Sequence, residues 1–169
     1  RLLRDGRALA VSGSAWLDRV WGDVAGVAGR AGTQGQLALN RFMLQHDDGS
    51  ELLSIQLRPR TGGGTPIPTC VAIAADGTTQ VLKRRDLTLT PGGAIWRAPG
   101  GAAYPVAWRL AAHPLGLDLA IDALHPAQEA TLGEQRWSGA VGVRGRRDGA
   151  PIDGGGRMDL SGYDAVGGS

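Results

Sequence analysis

A short segment near the start of the chain, residues 11–22, concentrates side chains that could do acid–base or ligand-binding chemistry. It places Trp16, Asp18, Arg19 and Trp21 within six residues, although aromatic residues make up only 5% of the sequence. In an extended strand, Trp16 and Asp18 share one face and Arg19 lies on the other. An acid beside an apolar wall can protonate or hold a mostly apolar ligand. The same residues also suit a barrel rim, where indoles pack and a carboxylate caps a turn, so both interpretations stay open.

The length and composition of the chain fit a single domain with one hydrophobic core. The chain has 169 residues, of which 42% are hydrophobic, and this is enough for a core of its own. It opens with Arg1 rather than Met, so we expect that upstream sequence has been removed by processing or by excision of the domain. Because no run of about 18 apolar residues occurs, no transmembrane segment is expected in this chain.

Cysteine and histidine usage argues against a metal site. A lone cysteine, Cys70, excludes an internal disulfide and a cysteine metal cluster. The three histidines, His46, His113 and His125, are far apart and show no metal-ligand spacing. We therefore expect no metal and no cofactor.

The charge pattern gives little support for nucleic-acid binding. The net charge is +2 and the pI is about 9.2, and the densest basic groups are residues 83–85 and 144–147. Neither group is interleaved with aromatic residues, as a surface that stacks bases would be. Solvated hairpin ends explain both groups, and no nucleic-acid partner is expected.

Alternating hydrophobicity recurs along most of the chain and predicts antiparallel strands. Residues 36–46 lead through the turn at 47–50 into residues 51–58, where Leu53, Ile55 and Leu57 share one face. This alternation is typical of a half-buried antiparallel hairpin. Further strands are predicted at residues 70–75, 78–82, 87–89, 104–110, 115–121, 137–146 and 157–162.

Many short strands with glycine-rich and proline-rich turns predict an all-β fold. The 28 glycines and nine prolines suit turns and bent strands, and helical spacing is absent over any useful length. A closed barrel and a sandwich are both compatible with this pattern. Roughly eight to ten strands fit the length, and a barrel of that size can hold one small ligand. No internal boundary divides residues 1–169 into two cores.

Several motifs follow one another in an order that resembles a known family. Residues 13–22 are similar to Gly-x-x-Trp-Leu-Asp-Arg-Glu-Trp-Gly, and residues 104–108 are similar to Tyr-Pro-x-x-Trp. Further matches lie at residues 41–53, 95–97, 136–141 and 156–163. In this order the chain resembles the C-terminal of the two β-domains of the lipocalin-like AttH family, which includes the carotenoid 1,2-hydratase (hydroxyneurosporene synthase) branch.

The chain departs from this family at three acidic positions. Val20 and Ser138 stand where the family usually has glutamate, and Asp159 shortens a third acid by one methylene. If those glutamates carry chemistry in the family, this domain has lost it or moved it; if they only tie the barrel together, the change is structural and compensated. The joint loss favours a partnered acid network that was removed together, because an unpaired buried carboxylate is costly.

The resemblance implies an antiparallel lipocalin-like β-barrel that forms the C-terminal half of a two-domain protein. It implies two partners, a small hydrophobic molecule and an N-terminal sister domain of the same chain. The domain would then be a hydrophobic-ligand-binding or structural module. The alternative is a part of an enzyme, a hydro-lyase or cyclase, that catalyses acid-promoted hydration or cyclisation of an isoprenoid or polyketide-like substrate. A periplasmic or secreted location is implied by the resemblance alone.

The resemblance also assigns candidate site residues. Hydration of an alkene needs a general acid in a dry site, and indole faces can stabilise the carbocation that forms. Asp18 occupies the family's aspartate position and is the candidate catalytic acid. The candidate ligand-binding residues are Trp16, Arg19, Trp21, Tyr104 and Trp108. The opposing interpretation is that Asp18 and Arg19 form a rim salt bridge and that Trp108 belongs to an ordinary core.

Overall fold

The structure, a computed structural model, describes residues 2–13, 15–17, 37–60, 66–130 and 135–163. Fourteen strands and two 3₁₀ turns, Arg84–Asp86 and His113–Leu115, lie in these ranges. The strands are β1 (Leu2–Arg4), β2 (Arg7–Leu9), β3 (Leu37–His46), β4 (Glu51–Pro59), β5 (Ile67–Ile73), β6 (Thr79–Leu82), β7 (Leu87–Pro91), β8 (Ile95–Arg97), β9 (Ala103–Pro105), β10 (Ala107–Ala112), β11 (Leu117–Ala123), β12 (Glu129–Ala130), β13 (Arg136–Arg147) and β14 (Ala150–Ser161). No helix in the described ranges is both long and apolar enough to cross a membrane.

One antiparallel sheet of ten strands forms the body of the domain. Its order is β6–β5–β4–β3–β14–β13–β11–β10–β7, and β12 adds to β13. Strand β5 also contacts β7 across the two ends of this order, so the sheet curls into a nearly closed barrel. The predicted all-β barrel of eight to ten strands with little helix is confirmed.

Large apolar side chains fill the interior of the barrel. Phe42 and Trp108 meet edge to face, with ring centroids 5.2 Å apart, and their neighbours extend this cluster to all the central strands. Each large apolar side chain that is fully buried contributes about 1.5–3 kcal/mol to stability. The other large apolar residues that are almost fully buried are Tyr104, Trp137, Leu44, Leu52, Leu110, Leu119, Ile121, Met158, Leu160, Val141 and Val143.

Strand β4 turns its polar face inward, which reverses the usual arrangement of a half-buried hairpin. Ser54 is fully buried and Gln56 is 6% exposed, whereas Leu57 on the opposite face is 40% exposed. The amide of Gln56 accepts a hydrogen bond from Asn40 (2.9 Å) and donates one to the carbonyl of Leu89 on β7 (3.3 Å). Gln56 therefore links β4 to β7 across the interior, whereas Ser54 Oγ is buried without a hydrogen-bond partner among the described residues.

Strands β1 and β2 form a separate two-stranded sheet. Every residue of β2 is exposed, and Leu3 and Leu9 are 75% and 43% exposed. A two-stranded hairpin that packs on nothing is marginally stable in water. This hairpin therefore needs a surface that the described residues do not provide.

Two glycines allow β14 to lie close to β3. A Cβ atom added to Gly156 would collide with the backbone carbonyl oxygen of Met43, and one added to Gly154 would collide with that of Gln45. Glycine inside a strand often marks a place where another backbone approaches closely. The backbone of β14 therefore lies against that of β3 at these two residues.

We predict that Gly156→Ala destabilises the domain by roughly 1–3 kcal/mol, because the backbone of β3 or β14 must move to accommodate the new atom. Gly155→Ala is the matched control, since its Cβ atom would lie 3.4 Å from the nearest neighbour, the carbonyl oxygen of Val141. This control should change the free energy of unfolding by less than about 1 kcal/mol. Urea unfolding of both variants makes the comparison, and equal effects would show that Gly156 is not a point of close approach.

Candidate functional site

The predicted site residues divide between two sides of the sheet. Trp16 lines a cavity of about 580 Å³ together with Gln45 and Arg157, whose side chains lie on the outer face of β3 and β14. Tyr104 and Trp108 lie in the interior core, at 0% and 2% exposure. The described structure therefore does not bring Trp16 together with these two aromatic residues. The remaining three predictions, Asp18, Arg19 and Trp21, lie outside the described residues.

Tyr104 and Trp108 both have internal hydrogen-bond partners. The Tyr104 hydroxyl donates to Glu129 Oε1 (2.9 Å), which also accepts from Gln135 (2.8 Å), and the Trp108 indole donates to the carbonyl of Pro105 (2.8 Å). Burial and the bond to Glu129 raise the pKa of Tyr104, so its hydroxyl stays protonated at neutral pH. These contacts suit structural aromatic residues, and a ligand-binding role for the two stays a prediction.

The outer face of three neighbouring strands carries a row of polar side chains. The register of the sheet places Arg41 on β3 opposite Asp159 on β14, and Asp159 opposite Ser138 on β13. Side chains that are directly opposite one another in antiparallel strands point to the same face. Arg157, two residues before Asp159 on β14, lies on that face as well. We call these four residues the outer cluster.

Asp159 lies at the centre of the outer cluster, and its side chain is only 8% exposed. Its Oδ2 atom accepts from Arg41 through Nη2 (2.7 Å) and Nε (3.1 Å). Its Oδ1 atom accepts from the Ser138 hydroxyl (2.5 Å) and from Arg157 Nε (3.0 Å). Arg157 also donates to Ser138 Oγ (2.6 Å). Four hydrogen bonds therefore bind this one carboxylate.

The hydrogen bonds decide the protonation state of Asp159. Burial alone would raise the pKa of its carboxyl, but the bonds from Ser138, Arg41 and Arg157 outweigh burial and lower the pKa below the ordinary value of 3.8. The group is therefore a carboxylate at neutral pH. A carboxylate whose two oxygens already accept four hydrogen bonds cannot serve as a general acid, because it has no proton to give. It can hold two guanidinium groups in fixed positions.

Two of the three positions that depart from the family's acidic pattern lie in the outer cluster. Ser138 and Asp159 are in direct hydrogen-bond contact. Val20, the third position, lies outside the described residues, so a partnership between the glutamates lost at Val20 and Ser138 stays a prediction.

Arg41 and Arg157 were not among the predicted site residues. Strand alternation alone could have placed Arg157 on the face of Asp159, since the two lie two residues apart on one strand. Arg41 lies on β3, and only the register between β3 and β14 brings it to Asp159.

Other titratable groups offer no reactive centre in the described part of the chain. Burial raises the pKa of the Cys70 thiol to about 12, so this cysteine is a thiol and not a reactive thiolate. The described ranges contain no group of three or more histidine, cysteine, aspartate or glutamate side chains that could hold a metal ion.

The fold and the outer cluster define a lipocalin-like antiparallel β-barrel domain with a charged outer face. The chain belongs to the AttH-like family, whose sequence model matches residues 1–163. This confirms the family that the sequence motifs indicated.

The solved structures that are similar to this chain include the following two. One is described as an AttH from Nitrosomonas europaea, with 28% sequence identity and a TM-score of 0.64 over 76% of this chain and 39% of that one. The other is kievitone hydratase from Nectria haematococca, with 18% identity and a TM-score of 0.63 over 73% of this chain and 39% of that one. The present chain thus matches 39% of the length of each neighbour. No curated protein matches the sequence.

We predict that Asp159 stabilises the fold in a pH-dependent way. Because its pKa is lower in the folded than in the unfolded state, its contribution is fully present above the unfolded pKa of about 3.8 and is lost as the pH falls through the folded pKa. Asp159→Asn should cost about 2 kcal/mol at pH 7, since charged hydrogen bonds are lost. The variant should then lose less stability than the wild type between pH 7 and pH 3.

Urea unfolding at both pH values measures this difference. Asp153→Asn, at an exposed position on the same strand, is the control and should keep the wild-type pH dependence. If Asp159→Asn and the wild type lose the same free energy of unfolding on acidification, folding does not lower the pKa of Asp159.

Proposed function

We propose that this chain is the C-terminal domain of a longer AttH-like protein, where it packs against an N-terminal sister domain and helps it to bind a small hydrophobic molecule. The observation that carries this proposal is the exposed N-terminal hairpin. Leu3 and Leu9 on the hairpin are joined by Val11 and Leu17 just after it, which are 57% and 77% exposed. Several exposed apolar side chains on one short segment favour a protein interface.

The lengths of the similar structures support a sister domain as the occupant of this surface. Each neighbour is more than twice as long as the part that this chain matches. The hairpin is the first element among the described residues, on the side of the chain where the proposed sister domain precedes it. A partner that is covalently linked next to the hairpin is present at a high effective concentration, which favours docking.

The filled interior bears on where a small hydrophobic molecule could bind. The inward positions of β3, β10, β11, β13 and β14 carry large buried side chains that form one continuous core. A ligand in this interior would have to displace part of that core, at a cost of several kcal/mol. We therefore place the ligand of the two-domain protein against the sister domain. A periplasmic or secreted location is part of the same proposal and rests on the family resemblance.

A catalytic role in acid-promoted hydration or cyclisation is the second candidate function. It is supported by the fold shared with kievitone hydratase, a likeness in fold alone at this level of identity. Among the described acids, Asp159 is held as a carboxylate by its partners. Under this hypothesis the proton donor is Asp18, which lies outside the described residues.

We predict for the second candidate that Asp18→Asn in the full-length protein lowers turnover of an established alkene substrate by about 100-fold or more, since this is the usual contribution of a general acid. Steady-state kinetics measure the loss. Asp118→Asn, at an exposed position on β11, is the control and should leave turnover unchanged. Unchanged turnover in Asp18→Asn would eliminate Asp18 as the acid.

For the first candidate, we predict that Leu3→Glu combined with Leu9→Glu uncouples the two domains of the full-length protein. Carboxylates placed in an apolar interface must be dehydrated, which opposes docking. Differential scanning calorimetry should then show two unfolding transitions where the wild type shows one, and limited proteolysis should cut faster between the domains. Leu124→Glu, at an exposed leucine on the barrel (61%), is the matched control. A single, unshifted transition in the double variant would overturn the proposed packing.

A further inference from the structure

A groove runs along the outer face of β14, next to the outer cluster, and consists of two cavities. Their volumes are about 170 Å³ and 580 Å³, and Arg157 lines both. Together they fall within the range of small-molecule sites. We call this surface the outer groove. Its small end is lined by Arg41, Arg136, Arg157 and Asp159, and its large end by Trp16 and Gly155 among others.

Arginine side chains dominate the described residues that line the small end of the outer groove. Arg41, Arg136 and Arg157 line it, and Asp159 is the one carboxylate among the described lining residues. Two N–H groups of Arg157 are engaged, by Asp159 and Ser138. The side chain of Arg136 makes no hydrogen bond or ion pair with any residue that the structure describes, although the residue is half-buried. A planar guanidinium group matches the geometry of a carboxylate, which it can bind through two parallel hydrogen bonds.

The large end contributes one further nitrogen without a partner. Trp16 Nε1 is buried and has no hydrogen-bond partner in the described part of the chain. An indole N–H can only donate. A buried donor without an acceptor is costly, and a ligand that places an acceptor beside it removes that cost.

The floor of the outer groove is nearly free of side chains. Gly155 on β14 lies opposite Gly142 on β13, so neither strand projects a side chain outward at this point. The half-buried indole of Trp16 lines the same cavity. A backbone floor and an aromatic wall leave room for an apolar body. Asp47, an exposed acid at this end, repels an anion and thus favours placing a negative head at the arginine end.

We propose that the outer groove binds an amphipathic carboxylate. Arg136 and Arg157 hold its carboxylate, and its apolar body lies along Gly155 against Trp16. This binding site lies on the outer surface of the barrel and includes no residue of β1 or β2, although Trp16 belongs to the segment that follows the hairpin. It gives the domain a ligand of its own, with a charged head that the filled interior could not accept.

Isothermal titration calorimetry of the full-length protein tests this proposal with dodecanoate as the probe and dodecanol as its neutral match. Wild-type protein should bind dodecanoate more tightly than dodecanol. Arg136→Gln should raise the Kd for dodecanoate about tenfold or more, as expected for the loss of a charged hydrogen bond, and should leave the Kd for dodecanol unchanged. Arg136→Lys keeps the charge and should restore part of the affinity. Trp16→Ala should weaken the binding of both probes, because it removes the wall for the apolar body.

Arg144→Gln is the matched control for the head of the ligand. Arg144 lies on the outer face of the same strand, β13, beside Asp122 (3.7 Å) and outside the outer groove, so this variant should bind both probes as the wild type does. The proposal is overturned if dodecanoate does not bind, or if Arg136→Gln and Arg144→Gln have the same effect. Repeating the titration on the Leu3→Glu, Leu9→Glu variant separates the two proposals, since unchanged dodecanoate binding there shows that the outer groove does not depend on domain packing.

Discussion

The close approach of β14 to β3 is the constraint on which the rest of this structure depends. At Gly154 and Gly156 there is no room for a Cβ atom beside the carbonyl oxygens of β3. These contacts let β14 pair with β3 on one side and with β13 along its full length on the other. The pairing fixes the register, and the register in turn brings Asp159 between Arg41 and Ser138. A slip of one residue would send all of these side chains to the opposite face.

The two faces of the sheet differ in composition and in structural role. The inner face carries the apolar side chains that stabilise the fold, and both aromatic candidates from the interior, Tyr104 and Trp108, have their polar atoms satisfied there. The outer face around Asp159 carries the charges and the cavities. A barrel that uses its interior for its own stability must present recognition chemistry on its surface or at a domain boundary. The exposed hairpin and the outer groove are the two surfaces of this kind in the described residues.

Fold class could be predicted from sequence because its signals are local. Alternation over residues 51–58 predicted the hairpin β3–β4, and the strands predicted at 70–75 and 78–82 correspond to the hairpin β5–β6. The direction in which β4 faces could not be predicted, since Gln56 is buried in order to meet Leu89, a residue 33 positions away. The outer cluster was found only in part. Ser138 and Asp159 stood out against the family pattern, and Arg157 shares a face with Asp159 by simple alternation. Arg41 is 118 positions from Asp159 in the sequence, and the strand pairing that brings them together is not encoded locally.

The inward-facing glutamine of β4 has a further consequence for motion. Strands β6 and β7 stand at the two ends of the sheet order and share no ladder of backbone bonds. The hydrogen bond that crosses from this side of the barrel to β7 comes from Gln56 on β4 to the carbonyl of Leu89. A single amide contact of 3.3 Å resists separation far less than a run of paired strands does. We therefore expect local opening of the barrel to begin between β6 and β7. Amide protons of β6 and β7 should then exchange with solvent before those of β13 and β14.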